Sequence, residues 1–143
     1  MKRFLILFCL IPAQLIYAQS NVDSLLRLLP DMKEDSLKVE AYIQLQGALY
    51  RKDLNQALNY ATQAVSLAQK LDMPRKEAEA RWHNSYILTD LKRYSEAQDE
   101  CQEALAYFLE FGDSSWVADV KLQLVLHYYK AIRKKRSPDF WKF

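Results

Sequence analysis

The sequence predicts an all-α protein built from repeated helix pairs, and three observations carry that prediction. Helix breakers are rare: Gly47 and Gly112 are the only glycines, and beyond residue 18 the only prolines are Pro30, Pro74 and Pro138. Between them Ala, Leu, Gln, Glu and Lys dominate, residues that lose little side-chain freedom in a helix. Apolar residues recur at three- and four-residue steps rather than alternately, and the chain matches itself when slid by 40 residues.

The first 18 residues stand apart from the fold. Lys2 and Arg3 make a positive start, Phe4 to Ile11 an apolar run, and Ile16-Tyr17-Ala18 puts a small residue before Gln19. That is the layout of a secretory signal peptide. The run is shorter than the ~20 residues of a bilayer span, and Pro12 interrupts it. Residues preceding Cys9 lack the small side chains that lipoprotein processing needs. The expectation is a signal peptide over residues 1–18 with cleavage after Ala18, giving an exported, periplasmic or secreted protein. The membrane is a partner only if the segment stays uncleaved.

Removing Lys2 and Arg3 leaves 18 basic residues against 18 acidic ones, so the excess of positive charge belongs to the targeting segment. No global basicity then argues for nucleic acid. Cys101 is the one cysteine left, which excludes an intrachain disulfide and leaves stability to packing.

Taken in order, Val22 to Leu29 reads as a short amphipathic turn or two, stopped by Pro30. A helix from about Asp35 to Lys52 carries Val39, Tyr42, Ile43, Leu45, Leu49 and Tyr50. Asp53 caps a second, running to Leu71, with Ala57, Ala61, Ala64, Val65 and Ala68 on one stripe. Pro74 opens a third, to Leu91, at a position where proline costs nothing. Ser95 caps a fourth, stopped by Gly112 in the left-handed conformation. Asp113 or Ser114 caps a fifth, from about Trp116 to Ile132.

The 40-residue slide lays Ala57-Leu58 on Ala97-Gln98, Ala61 on Cys101, Ala64-Val65 on Ala104-Leu105, Ala78 on Ala118 and Trp82 on Leu122. Small residues fall on small ones where helices approach closely. A helix-pair period of this size marks a solenoid, in which each unit buries its face against its neighbour.

These residues resemble tetratricopeptide (TPR) repeats. Gly47 and Tyr50 match the family's first-helix Gly and Tyr; Ala57 and Ala64 match its second-helix alanines; Tyr94, Ala97, Ala104 and Leu105 match the second unit. The likeness covers residues 36 to about 132 and is closest to the lengthened repeats in exported sensory regions of bacterial membrane-tethered signalling proteins. It implies a TPR-type helix-turn-helix solenoid, two repeats plus a lone third first-helix. The domain layout is then 1–18 signal peptide, 19–132 TPR-like helical domain and 133–143 basic and aromatic tail. Two registers are open for the second first-helix. One sets Ser85 in the glycine slot and puts Arg81 and Asn84 on apolar positions; the other puts Trp82 in the tryptophan slot and Tyr86 in the glycine slot. The lone third helix is expected to cap the second repeat by burying Val120, Leu124 and Tyr128.

No catalytic constellation is present, so the chain is expected not to be an enzyme and to need no cofactor. His83 and His127 are four residues out of register, and no HExxH or CxxC pattern offers a metal site. Cys101 reads as a small buried hydrophobe, and Glu96, Asp99, Glu100 and Glu103 as a solvated face. The run Arg133-Lys134-Lys135-Arg136 suits a helix C-terminus, or contact with a membrane or an acidic partner.

The resemblance implies binding of a protein or peptide on the first helices, at Gln44, Ala48, Arg51, Trp82, Tyr86, Thr89, Asp119, Leu122, Leu126 and Tyr129. Of these, Gln44, Arg51, Trp82, Tyr86, Asp119 and Tyr129 form the candidate peptide-binding set. Trp82, Tyr86 and Tyr129 would act as aromatic anchors and Arg51 as a carboxylate fork; aromatics at helical spacing also suit a core. The expected function is a non-catalytic adaptor of the cell envelope. The alternative is a truncated sensory portion of a membrane-tethered regulator of histidine-kinase or transcription-regulator type.

Overall fold

The computed structural model describes residues 22–135. The expected signal segment, its expected cut after Ala18, and the tail from Arg136 with Trp141 and Phe143 lie outside the described residues. Within them the chain is helical, with no strand.

The chain divides into residues 1–33 and residues 34–143. In the first unit, helix α1 spans 22–28 and runs into a 3-10 turn, Leu29–Asp31, where Pro30 sits. In the second unit follow α2 (Ser36–Leu49), α3 (Leu54–Lys70), α4 (Pro74–Asp90), α5 (Tyr94–Glu110) and α6 (Ser114–Lys135).

Two aspartates start the first hairpin. Asp35 accepts from the Leu37 and Lys38 amides, and Asp53 from Asn55 and Gln56. Each cap satisfies donors that the helix itself cannot, which contributes about 1 kcal/mol. Pro74 opens α4 as expected. Ser95 does not cap α5: the helix starts at Tyr94, with Arg93 at the cap position and no side-chain cap bond. The turn before it dictates this.

That turn belongs to a set of three. Asp72, Lys92 and Gly112 have φ of 52°, 62° and 69°, and each is followed by an amide that reaches back to close the helix. Met73 N donates to Ala68 O, Arg93 N to Leu88 O, and Asp113 N to Phe108 O, at 2.9, 2.8 and 3.0 Å. These are Schellman stops, and they leave three residues between helices. The α2–α3 connection differs. Leu49 O accepts from both Lys52 N and Asp53 N at 2.8 Å, ending α2 at Leu49 rather than Lys52.

Within the second unit each helix packs on its sequence neighbours. Val39 at the start of α2 meets Leu67 and Ala68 at the end of α3, while Leu49 meets Ala57 and Ala61 at its start, so the pair is antiparallel. Ala57, Ala61, Ala64 and Ala68 are all buried. Their small side chains let α3 lie close to both α2 and α4, where Ile87 and Ala80 complete the contacts. On α5 the equivalent stripe is Ala97, Cys101, Ala104 and Phe108, which packs on Ala78 of α4 and Val120 of α6.

Burial also decides between the two registers. Val39, Ala41, Leu45, Gln46 and Leu49 of α2 are buried, and so are Ala78, Ala80, Asn84, Ser85 and Leu88 of α4, each 39 residues on. Tyr86 therefore occupies the place of Gly47, and Trp82 that of Ile43. No crowding results, because a Cβ added at Gly47 would meet nothing within 4 Å. The chain does not need a glycine there.

Helix α6 departs from its expected role in two respects. It continues to Lys135, so Arg133, Lys134 and Lys135 are helical rather than part of a tail. It buries Val120 and half-buries Leu124, but Tyr128 is exposed, and the remaining buried positions are Gln123 and His127.

Candidate functional site

The first helices α2, α4 and α6 are tied side by side by polar contacts. Lys76 of α4 bonds Glu40 of α2 at 3.1 Å and Glu79 of its own helix at 2.9 Å. The Tyr50 hydroxyl, just after α2, donates to Asp90 at the end of α4. Asp90 in turn faces Lys130 of α6 at 3.8 Å. Burial, then the Asp90 carboxylate, pushes the Tyr50 phenol up to about 12. His83 sits on the same side: burial lowers its pKa, and the nearby Glu79 and Glu40 carboxylates oppose that.

The sequence-derived candidates divide. Gln44 and Arg51 are exposed on or just after α2, and Asp119 and Tyr129 are exposed on α6. Leu122 and Leu126 are exposed there too, and Ala48 is half-buried. Trp82 and Tyr86 are half-buried and packed together with ring centroids 5.0 Å apart. Trp82 also meets Trp116 edge-on at 4.8 Å, and Trp116 stacks on Phe108 at 5.0 Å. Trp82 is thus a member of the α4–α5–α6 core. Thr89 is buried and donates to Ser85 O at 2.7 Å, so it offers nothing to a surface. The register explains both: positions one residue beyond the expected ones, His83 and Asp90, carry the polar contacts.

A second polar group lies between α4 and α5. Arg81 bonds Glu77 and Glu100, both at 2.8 Å, and the Asn84 amide nitrogen donates to Glu100 at 3.2 Å. This network explains how polar residues occupy positions that are apolar in the first hairpin. Its one signal in the sequence is that Arg81, Asn84 and Glu100 all depart from the apolar pattern together.

Cys101 and His127 are a buried thiol and a buried imidazole among the described residues. Burial pushes the Cys101 thiol up to about 11, and its sulfur lies 3.6 Å from Val120 O. Burial, then Lys130, pushes the His127 imidazole down to about 4. Its Nε2 lies 3.0 Å from the Gln123 amide nitrogen, which can only donate, and its buried Nδ1 has no protein partner. Among the described residues no group of three or more His, Cys, Asp or Glu could hold a metal, and no helix is long and apolar enough to cross a membrane. Set against known proteins, the chain matches no family model and no curated relative.

Proposed function

We propose that this chain is an exported, non-catalytic adaptor of TPR type that captures a protein or peptide on the side formed by α2, α4 and α6. The observation that carries the reading is the row of polar groups running across these helices. Gln44 and Arg51 stand exposed beside Glu40, His83 and the Tyr50–Asp90–Lys130 chain. Neighbouring carboxylates, amides and cations on a rigid helical base suit a segment of peptide backbone and its charged side chains. The antiparallel pairs at a 39–40-residue spacing and the small-residue stripes on α3 and α5 support the TPR reading. The signal-like start of the sequence supports export to the periplasm or out of the cell.

Affinity capture from the exported fraction of the native cell tests this, with wild type and Arg51→Glu as paired baits. A partner held by wild type and lost from the charge-reversed bait is the expected result. The same proteins recovered equally by both baits would refute the assignment. Trp82→Ala is not a suitable probe, because it opens the core.

A further inference from the structure

Helix α6 carries two faces with opposite fates. One face, Trp116, Val120, Gln123 and His127, lies against α5 or is buried. The other carries Ala118, Leu122, Val125, Tyr129 and Ile132, at alternating steps of four and three residues. That spacing is the seam of a coiled coil. Here it faces water: Leu122, Val125, Tyr129 and Ile132 are 62, 63, 61 and 55% exposed.

The earlier hairpins identify what this face is for. Ala78, Trp82, Ser85 and Thr89 of α4 are buried or half-buried, and Ala78 and Trp82 share a core cluster with α5. Forty residues on stand Ala118, Leu122, Val125 and Tyr129. In α2 the matching residues Val39 and Ile43 are covered in a cluster with Leu67 and Ala68 of α3. The exposed stripe is therefore the side that, in each preceding hairpin, receives an antiparallel second helix.

We propose that a second copy of this chain fills that place: α6 of one copy packs antiparallel on α6 of the other along the 118–132 stripe. The two-fold pair reproduces in trans the antiparallel contact of α2 with α3 and of α4 with α5. Charge selects this orientation. Asp119 and Arg133 flank opposite ends of the stripe on the same edge, so an antiparallel partner sets each Asp119 beside the other copy's Arg133. A parallel pair would instead align the two basic C-terminal turns, with Lys130 and Arg133 of each copy side by side, and their helix dipoles. Covering the exposed apolar side chains removes roughly 600 Å² of surface per copy, or about 1,200 Å² in all, at the lower edge of a specific interface. Interfaces of this size hold weak, transient pairs, so the dimer is sought from about 1 to 100 μM. The pair covers Asp119, Leu122 and Tyr129 of α6, while the exposed α2 residues Gln44 and Arg51, on which the peptide-binding reading rests, stay outside the α6 interface.

Sedimentation velocity of the 143-residue chain across that concentration range tests it, beside Val125→Glu. Expected are a concentration-dependent doubling of mass for wild type and a monomer for the variant, with helical circular dichroism unchanged. Should Val125→Glu unfold, the charge exchange decides. Asp119→Arg and Arg133→Asp singly should each raise the dissociation constant about tenfold, and the double exchange should restore it. A wild-type chain that stays monomeric overturns the proposal, and so does a folded Val125→Glu that still dimerises. Failure of the double exchange to restore affinity overturns the antiparallel arrangement.

Discussion

Arg81 and Glu100 meet at 2.8 Å in the second hairpin at the positions where the first hairpin stacks Tyr42 on Tyr60, their ring centroids 6.1 Å apart. One site in the repeat thus holds an aromatic pair in one copy and an ion pair in the next. Both joins link a first helix to its second helix, and Asn84 adds a bond to the same carboxylate. The Arg81 and Glu100 side chains are 19% and 22% exposed, so removing one partner leaves a poorly solvated charge.

Arg81→Met is accordingly expected to destabilise the protein by about 1–3 kcal/mol. The double replacement Arg81→Tyr with Glu100→Tyr should recover part of that loss by rebuilding the aromatic join. Urea unfolding of Arg81→Tyr, Glu100→Tyr and the double gives the coupling directly. An additive result would mean that the two positions do not act as a pair.

The three Schellman stops make a separate prediction. Lys92 holds φ of 62° in the place that Gly112 occupies at 69°, and a side chain there meets a steric cost that glycine avoids. Lys92→Gly should therefore stabilise the protein by about 0.5–1 kcal/mol, and Gly112→Ala should destabilise it by about 1 kcal/mol. Thermal midpoints moving in opposite directions bear this out. A drop in both variants would contradict the shared geometry.

His127 predicts an acid sensitivity. Its folded pKa is pushed down to about 4, against about 6.5 for an unperturbed histidine. As pH falls from 6.5 towards 4 the unfolded chain takes up a proton that the folded chain refuses. Stability should therefore fall with pH in that window by about 1 kcal/mol per unit, from this group alone. Above pH 7 both states hold it neutral and the term vanishes. His83, also lowered by burial, adds to the same trend. Denaturation at pH 7.5 and pH 5 should show a clear loss for wild type and a smaller one for His127→Leu; equal losses would place the sensitivity elsewhere.

The legible and hidden parts of this structure differ for physical reasons. The Ala57-Ala61-Ala64-Ala68 stripe announces α3 because small residues at helical spacing have few other uses, and Asp35 and Asp53 mark helix starts through local bonds. Asp72 and Lys92 escape notice as helix stops because only their backbone is unusual. For that reason Ser95 reads as the cap of α5, whereas the stop at Lys92 sets its start and no side chain caps it. The sequence leaves the register of α4 open because Asn84 and Arg81 look foreign to an apolar face until Glu100 is brought beside them. Of the candidate site, Gln44, Arg51, Asp119 and Tyr129 proved exposed, while Trp82 belongs to the core. An aromatic at helical spacing reads alike in either role, and only its neighbours Trp116 and Phe108 distinguish them.

The central claim, a binding surface on the first helices, is tested most directly by amide hydrogen exchange on the complex with a captured partner. Added protection is expected across α2 and the end of α4, from Glu40 to Arg51 and around His83 to Asp90, with α3 and α5 unchanged. Protection confined to the outer faces of α3 and α5 would contradict it.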